Sequence, residues 1–388
     1  MKICDNNQCT GCGLCSIICP LGAITMLNDK YDFLHPVIDD EKCIKCGLCV
    51  RKCPSINIIE GCENNVAYAA YSKDESIHET SQSGGLAFLL EKHVLNCNGV
   101  VYGQAFNNQL EVSWIRIDDA KDLYKLQMSK YVQGRIDGSF KEVLNDLKKG
   151  NLVLFTGTPC QIAAILSFVP EKLKEKLLTI SFVCGGVASP KNLYDQIEKL
   201  QEKNLINKSL IDNITFRKKG GGYYFRFFSN GKIIYEQDDF YSDFLIAYGE
   251  HLNLRESCYN CKYARTDRIG DLTIGDYLAL DRYTTSLPRN ELKKGVSLAI
   301  PTSEKGSYIL QTILKDMEYE KRTTKDAALN NRRLSSPSER SLFVDTYRRL
   351  YPIYGFNKSV HKIFWKRYYW VGYTKHRIGT FIRRAIGK

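Results

Sequence analysis

Cys9-Thr-Gly-Cys12-Gly-Leu-Cys15-Ser-Ile-Ile-Cys19-Pro20 and Cys43-Ile-Lys-Cys46-Gly-Leu-Cys49-Val-Arg-Lys-Cys53-Pro54 are two copies of one pattern, C-x2-C-x2-C-x3-C-P. Three closely spaced thiolates wrap one 4Fe-4S cubane corner by corner, while the departing chain carries the fourth to a neighbouring cluster. The spacing therefore predicts a first cluster on Cys9, Cys12, Cys15 and Cys53, and a second on Cys43, Cys46, Cys49 and Cys19. Zinc knuckles would need two C-x2-C pairs or cysteine with histidine, and the first histidine is His35.

The repeat runs on past the cysteines. Pro20-Leu-Gly-Ala-Ile-Thr-Met and Pro54-Ser-Ile-Asn-Ile-Ile predict two pseudo-symmetric strands covering the clusters, which completes a tandem 4Fe-4S ferredoxin module over residues 1–61. Fifteen cysteines in 388 residues would suit a disulfide framework in a small secreted chain, but this length buries a core without staples. The chain opens Met1-Lys-Ile-Cys-Asp with no apolar leader, so a reducing cytoplasmic setting is expected. No stretch approaches the roughly 18 apolar residues of a membrane-spanning helix.

The formal net charge of +12 is local. Residues 331–388 hold 14 Lys and Arg against Glu339 and Asp345, and the rest of the chain is balanced. Within this basic, aromatic tail, Val360, Ile363, Phe364, Ile378 and Phe381 recur at near-helical spacing, with Trp365 and Trp370 beside them. Residues 358–388 thus predict a basic amphipathic helix. It either attaches peripherally to an anionic membrane, on the inner face, or packs on the core. No motif that reads nucleic acid accompanies the charge.

After Asn64-Asn65 the pattern alternates. Residues 66–71, 99–106, 111–117, 152–155 and 177–183 predict strands, and 85–95, 139–147, 161–168 and 190–200 predict helices. Such alternation implies a mixed-sheet α/β core, here in two parts, 66–148 and 149–330, following the α+β ferredoxin module. Residues 214–216, 224–228 and 233–236 read as antiparallel strands, turning at Asn230-Gly231.

Four further cysteines fall where such a sheet presents its loops. Cys160 lies in Thr156-Gly157-Thr158-Pro159-Cys160-Gln161 between a strand and a helix, Cys184 ends a strand in Val183-Cys184-Gly185-Gly186, and Cys258 and Cys261 form a C-x2-C pair. The carboxyl edge of an α/β sheet is where ligands bind. Four thiols from three loops suit a third cubane; a reactive Cys160 at a helix start, plain packing and a zinc site are the alternatives. Cys4, Cys62 and Cys97 show no partner pattern and read as structural or free.

Ser81-Gln82-Ser83-Gly84-Gly85 opens a predicted helix, whose backbone N–H groups and dipole suit a phosphate. The Thr156-Gly157-Thr158 turn offers a second such place, and Lys130 a balancing charge. Neither turn matches G-x-G-x-x-G or a Walker sequence. No catalytic group is legible, for none of the six histidines stands in H-E-x-x-H and there is no G-x-S-x-G. Asp271 and Asp276, each beside a glycine, serve turns as readily as proton transfer.

Taken with the tandem cysteine runs, Ser81-Gln-Ser-Gly-Gly, Ser129-Lys-Tyr-Val-Gln-Gly, Phe155-Thr-Gly-Thr-Pro-Cys-Gln, Val183-Cys-Gly-Gly-Val-Ala-Ser-Pro-Lys and the Cys258/Cys261 pair followed by Gly270-Asp-Leu-Thr-Ile-Gly-Asp resemble the coenzyme F420 hydrogenase/dehydrogenase beta-subunit family, over about residues 1–300. The resemblance implies FAD at the sheet edge, contacted by Ser83, Gly84, Gly85, Lys130, Thr156, Gly157 and Thr158. It also implies a third 4Fe-4S cluster beside it, on Cys160, Cys184, Cys258 and Cys261. Many relatives have C-H-G where this chain has Cys184-Gly185-Gly186, so any histidine role there is absent.

The activity implied is that of an iron-sulfur, flavin-dependent oxidoreductase. Electrons from a low-potential donor, a ferredoxin or hydrogenase-like subunit, would pass through the clusters and FAD to an organic substrate, either a deazaflavin or a cell-envelope saccharide or lipid-linked intermediate. The alternative is an electron-transfer subunit that relays electrons within a larger complex and has no substrate of its own.

Overall fold

The structure, a computed structural model, describes residues 2–136, 138–219 and 222–364; the remainder of the expected tail helix lies outside the described residues. In the N-terminal module the short helices Leu14–Ile18 and Leu48–Arg51 each start after a glycine, Gly13 and Gly47, at φ 70° and 72°. Left-handed backbone would cost a residue with a side chain about 1–2 kcal/mol, which is why glycine follows the second cysteine of each run. Strand β1 (Ile24–Asn28) pairs antiparallel with β2 (Leu34–Ile38).

The expected covering strand after Pro54 does not form. Residues 54–59 are turn and coil, because their backbone groups bind the core: the Tyr263 hydroxyl donates to the Pro54 carbonyl at 2.7 Å and the Arg265 guanidinium to the Ile59 carbonyl at 2.8 Å. Ile58 and Ile59 pack on an apolar core cluster. The partner of β1 comes instead from the segment between the two cysteine runs.

The core continues with β3 (Val66–Ser72), β4 (Val100–Phe106), β5 (Val112–Ile117), β6 (Val153–Gly157) and β7 (Leu177–Phe182). Strands β8 (Asn213–Arg217), β9 (Tyr223–Ser229) and β10 (Lys232–Asp238) form a separate antiparallel sheet with its turn at Asn230-Gly231. Strands β11 (Leu272–Asp276), β12 (Ser297–Pro301) and β13 (Met317–Thr323) complete an eight-stranded sheet of order β13-β3-β12-β11-β7-β6-β4-β5. Strands β11, β7, β6 and β4 run parallel, and antiparallel pairings flank them. Strand β6, Val-Leu-Phe-Thr-Gly, is buried at every position, as a central parallel strand covered on both faces must be.

The chain beyond 330 is part of this core. Leu334 and Val344 are fully buried, and the kinked Val344–Phe364 helix packs on the helices Pro190–Glu202 and Asp243–Gly249. Tyr347, Tyr351, Phe356, Val360 and Phe364 all enter one hydrophobic cluster. The apolar face of 358–364 therefore meets protein and not lipid. Among the described residues, no helix is long and apolar enough to cross a membrane.

Candidate functional site

Two cavities in the N-terminal module sort its cysteines as the spacing predicts. Cys9, Cys12, Cys15 and Cys53 line one, and Cys19, Cys43, Cys46 and Cys49 line the other. Sets of four soft thiolates are the donor chemistry of iron-sulfur clusters. Cys4, which shows no pattern in the sequence, lines the first cavity as well. Its thiol hydrogen-bonds Cys53 and Cys9, which raises its own pKa and lowers theirs. Cys62 and Cys97 are exposed.

The four core thiols also converge. Cys160 is the second residue of the helix Pro159–Phe168, whose N-cap Thr158 forms a capping box with Gln161 and sets its Oγ1 3.2 Å from Cys160 Sγ. Cys184 follows β7, and its Sγ accepts from the Gly186 N–H at 3.3 Å. Cys258 lies in the short helix Glu256–Tyr259, with Cys261 just beyond it. Gly186 has φ 104°, and a Cβ there would stand 2.9 Å from Leu254 and 3.2 Å from the Cys258 Cβ, so glycine lets these two loops close. Burial raises the Cys160 thiol, and the charges of Cys261, Cys184 and Cys258 add to the rise. Burial and neighbouring cysteines likewise push Cys184 up to about 11 and Cys258 up to about 12. Among the described residues no three His, Cys, Asp or Glu side chains close tightly enough for a single metal ion.

At the carboxyl ends of β6, β7 and β11 opens a cavity of about 290 Å³. It gathers segments far apart in the chain: Ser81 to Ser83 with Gly85, Lys130 and Tyr131, Thr156 and Thr158, Cys184 to Gly186, and Gly275 with Asp276. Cys184 thus belongs both to the cavity wall and to the thiol set. Among the described residues the buried Ser81 and Ser83 hydroxyls have no hydrogen-bond partner, just ahead of the helix Leu86–Asn96, whose Gly85 N-cap supplies no side chain. Orphan hydroxyls at a helix N-terminus suit a phosphate or similar anion.

Three of the expected contact residues have their own partners or stand off the cavity wall. Gly84 does not line the cavity: its N–H donates to Ser297 Oγ at 2.9 Å, its carbonyl accepts from the Ser72 N–H, and a Cβ would come within 2.2 Å of the Ala70 carbonyl oxygen. Gly157 is also off the wall, and the hydroxyls flanking it are engaged, Thr156 with the Tyr102 carbonyl at 3.3 Å and Thr158 with Gln161 at 2.7 Å. Lys130 lines the cavity, and its ammonium donates to the carbonyls of Lys125, Leu126 and Gln127 at 3.2, 3.0 and 2.7 Å, which ties a turn there.

Lys219, not singled out from sequence, holds the serine-glycine turn by donating to the carbonyls of His78, Ser81 and Ser83. Asp276 pairs with Arg217 on the cavity wall. Asp271 accepts from the Thr179 N–H and hydroxyl, both at 2.8 Å, and from Ser303, away from this cavity, so it serves the turn.

Residues 150–327 match the C-terminal family of the coenzyme F420 hydrogenase/dehydrogenase beta subunit, and residues 8–57 and 35–100 match 4Fe-4S dicluster domains. Residues 150–327 thus form that beta subunit's C-terminal domain, behind an N-terminal 4Fe-4S dicluster module. The chain is 24% identical over 326 residues to coenzyme F420-dependent sulfite reductase of Methanocaldococcus jannaschii, covering 78% of this chain and 47% of that protein. It therefore spans about half the length of that curated relative. It is also similar to a chain of the F420-reducing [NiFe] hydrogenase complex from Methanosarcina barkeri, at 18% identity and TM-score 0.46, over 71% of this chain and 93% of that one.

Two buried arginines flank the core thiols. Arg255, 1% exposed, donates from Nε to the Cys9 carbonyl at 2.7 Å, from Nη1 to Gln133 Oε1 at 2.9 Å and from Nη2 to the Leu34 carbonyl at 2.8 Å. It fastens the dicluster module to the core. Arg268, 2% exposed, donates to the carbonyls of Tyr263 and Arg265 and feels the charges of Cys261 and Cys184. Burying such cations is costly unless their donors are engaged and anions lie nearby. Their one sequence signal is their position on either side of the C-x2-C pair.

Proposed function

We propose that the chain is an iron-sulfur, flavin-dependent oxidoreductase, in which electrons enter at the dicluster module and leave from the cavity as a hydride equivalent on an organic acceptor. The observation that carries this reading is Cys184, shared by the four-thiol set and the cavity wall. Towards the core, Cys12 packs on the same apolar cluster as Cys160 and Cys261, while Cys46 and Ile44 are exposed at the surface. The order favoured is therefore Cys19, Cys43, Cys46 and Cys49 first, then Cys9, Cys12, Cys15 and Cys53, then Cys160, Cys184, Cys258 and Cys261, each set holding one cubane.

FAD suits the cavity's chemistry. The Ser81 and Ser83 hydroxyls and the helix N-terminus would hold its pyrophosphate, and the stacked rings of Tyr131 and Tyr248, 4.7 Å apart, would wall its ring system. When bound, it would link one-electron donors to a two-electron acceptor. We favour a deazaflavin as that acceptor, in keeping with the F420-dependent relative; no residue here argues for a saccharide. The relay reading keeps one support, namely that the chain spans only about half of that relative.

Anaerobic reconstitution of the full chain tests the proposal. About twelve iron atoms per chain are expected, falling to about eight in Cys160→Ser, with FAD released on denaturation. Iron near eight that Cys160→Ser leaves unchanged would remove the third cluster, and FAD whose fluorescence is not quenched on titration would remove the flavin. Reduction of a deazaflavin by the loaded chain and a low-potential donor separates enzyme from relay.

A further inference from the structure

We propose that Glu91 is the proton-carrying catalytic group of the cavity, giving its proton to the cavity's occupant as that occupant takes up electrons. The inference rests on the reading of the cavity as the reducing end of the chain. Glu91 lines the cavity yet is 4% exposed, on the helix Leu86–Asn96 whose Leu89, Leu90 and Val94 are core residues. Buried polar groups almost always have hydrogen-bond partners. Among the described residues the Glu91 carboxyl has none, and Lys130 alone acts on it, through its charge.

The elements packed on this helix are β3, β4, β6, the 3-10 turn Ala120–Lys125 and the helix Glu304–Leu314, and none of them turns a charged group onto Glu91. Burial pushes its pKa up to about 8, so the carboxyl is protonated at neutral pH. A buried acid without partners is unfavourable for folding where leucine or methionine would serve. Such a cost is tolerated at sites that move protons. Burial draws Lys130 down to about 7, but three carbonyl acceptors, each calling for an N–H, hold it as an ammonium.

In the step proposed, the Glu91 O–H bond breaks and a bond from that hydrogen to the occupant forms. The two electrons for this step would come from a low-potential donor through clusters held on the thiol sets, so one proton and two electrons make a hydride equivalent on the occupant. The carboxylate left behind faces the Lys130 ammonium, and a proton from water restores the acid.

The test compares the full, anaerobically reconstituted chain with Glu91→Gln, which keeps the shape and removes the proton, and with Glu91→Asp, which keeps an acid at shorter reach. Infrared spectroscopy should show a protonated carboxyl band at pH 6 that bleaches as pH rises through about 8, and that band should be missing in Glu91→Gln. With FAD as the probe, the flavin's midpoint potential should change slope near the same pH. Glu91→Gln should bind FAD equally well, lose that change of slope and be reduced at least about a hundredfold more slowly, with partial rescue by Glu91→Asp. Absence of the band in wild type overturns the proposal, as does a Glu91→Gln variant with unchanged slope and rate. If FAD fails to bind wild type, the flavin reading falls, and the infrared band decides for or against Glu91.

Discussion

Replacing Arg255 by glutamine removes a positive charge close to Cys9 and the donors that hold the Cys9 and Leu34 carbonyls. Net charge and hydrogen bonding set the potential of an iron-sulfur cluster. The expected outcome is a midpoint about 60 mV more negative for the cluster proposed on Cys9, a tenfold change in a one-electron equilibrium, read by redox titration with electron paramagnetic resonance. A potential that does not move would reduce Arg255 to a structural fastener. The cysteines were legible because each run is local, three ligands within seven residues. The surroundings of Gly84 and Lys130 were not legible, because their partners are invisible at short range: the Ser297 hydroxyl lies far along the chain, and three carbonyls become acceptors only once the Ala120–Lys125 turn has formed. Glu91 looks in sequence like any helix-surface acid, and only burial sets it apart.

At the scale of elements, Asp146 shows how the helix Ser139–Lys148 is held to the sheet. It is buried and accepts from Tyr102 on β4 and Arg116 on β5, both at 2.7 Å, and from Asn151 at 3.0 Å. Burial alone would raise its pKa, but Arg116, Tyr102 and Asn151 outweigh that and hold it below the usual carboxylate value of 3.8. A lowered carboxyl pKa gives stability that is present above the unfolded value and lost as pH falls through the folded one. Asp146→Asn should therefore cost about 1–2 kcal/mol at pH 7, modest because Arg116 is partly solvated, and the difference should shrink below about pH 4. Urea unfolding at pH 7 and pH 3 checks this; equal losses at both would mean shape, not charge, is responsible. Strands β3 to β7 could be read from their apolar runs, whereas β13, Met-Glu-Tyr-Glu-Lys-Arg-Thr, is an edge strand whose polar residues hide it. Residues 54–59 were misread because apolar alternation does not say whether a backbone pairs with a strand or with the side chains of Tyr263 and Arg265.

For the whole molecule, removing residues 331–388 should leave the chain aggregated or strongly destabilised, since Tyr347, Tyr351, Phe356 and Val360 complete a core cluster and would leave it open to water. A detached amphipathic arm would instead come off without loss of melting temperature, so calorimetry of the truncated chain decides between the two. The same sheet order has a consequence for synthesis. Strand β3 follows directly on the cysteine module, yet its neighbours are β12 and β13, with Ser72 opposite Met317. Pairings this distant along the chain form late. A nascent polypeptide would therefore complete both cysteine runs long before the eight-stranded sheet can close, with an apolar strand waiting unpaired on the ribosome. Iron loading in the growing cell is then a race between metal delivery to the early module and oxidation of its thiols, won or lost before the last strand emerges.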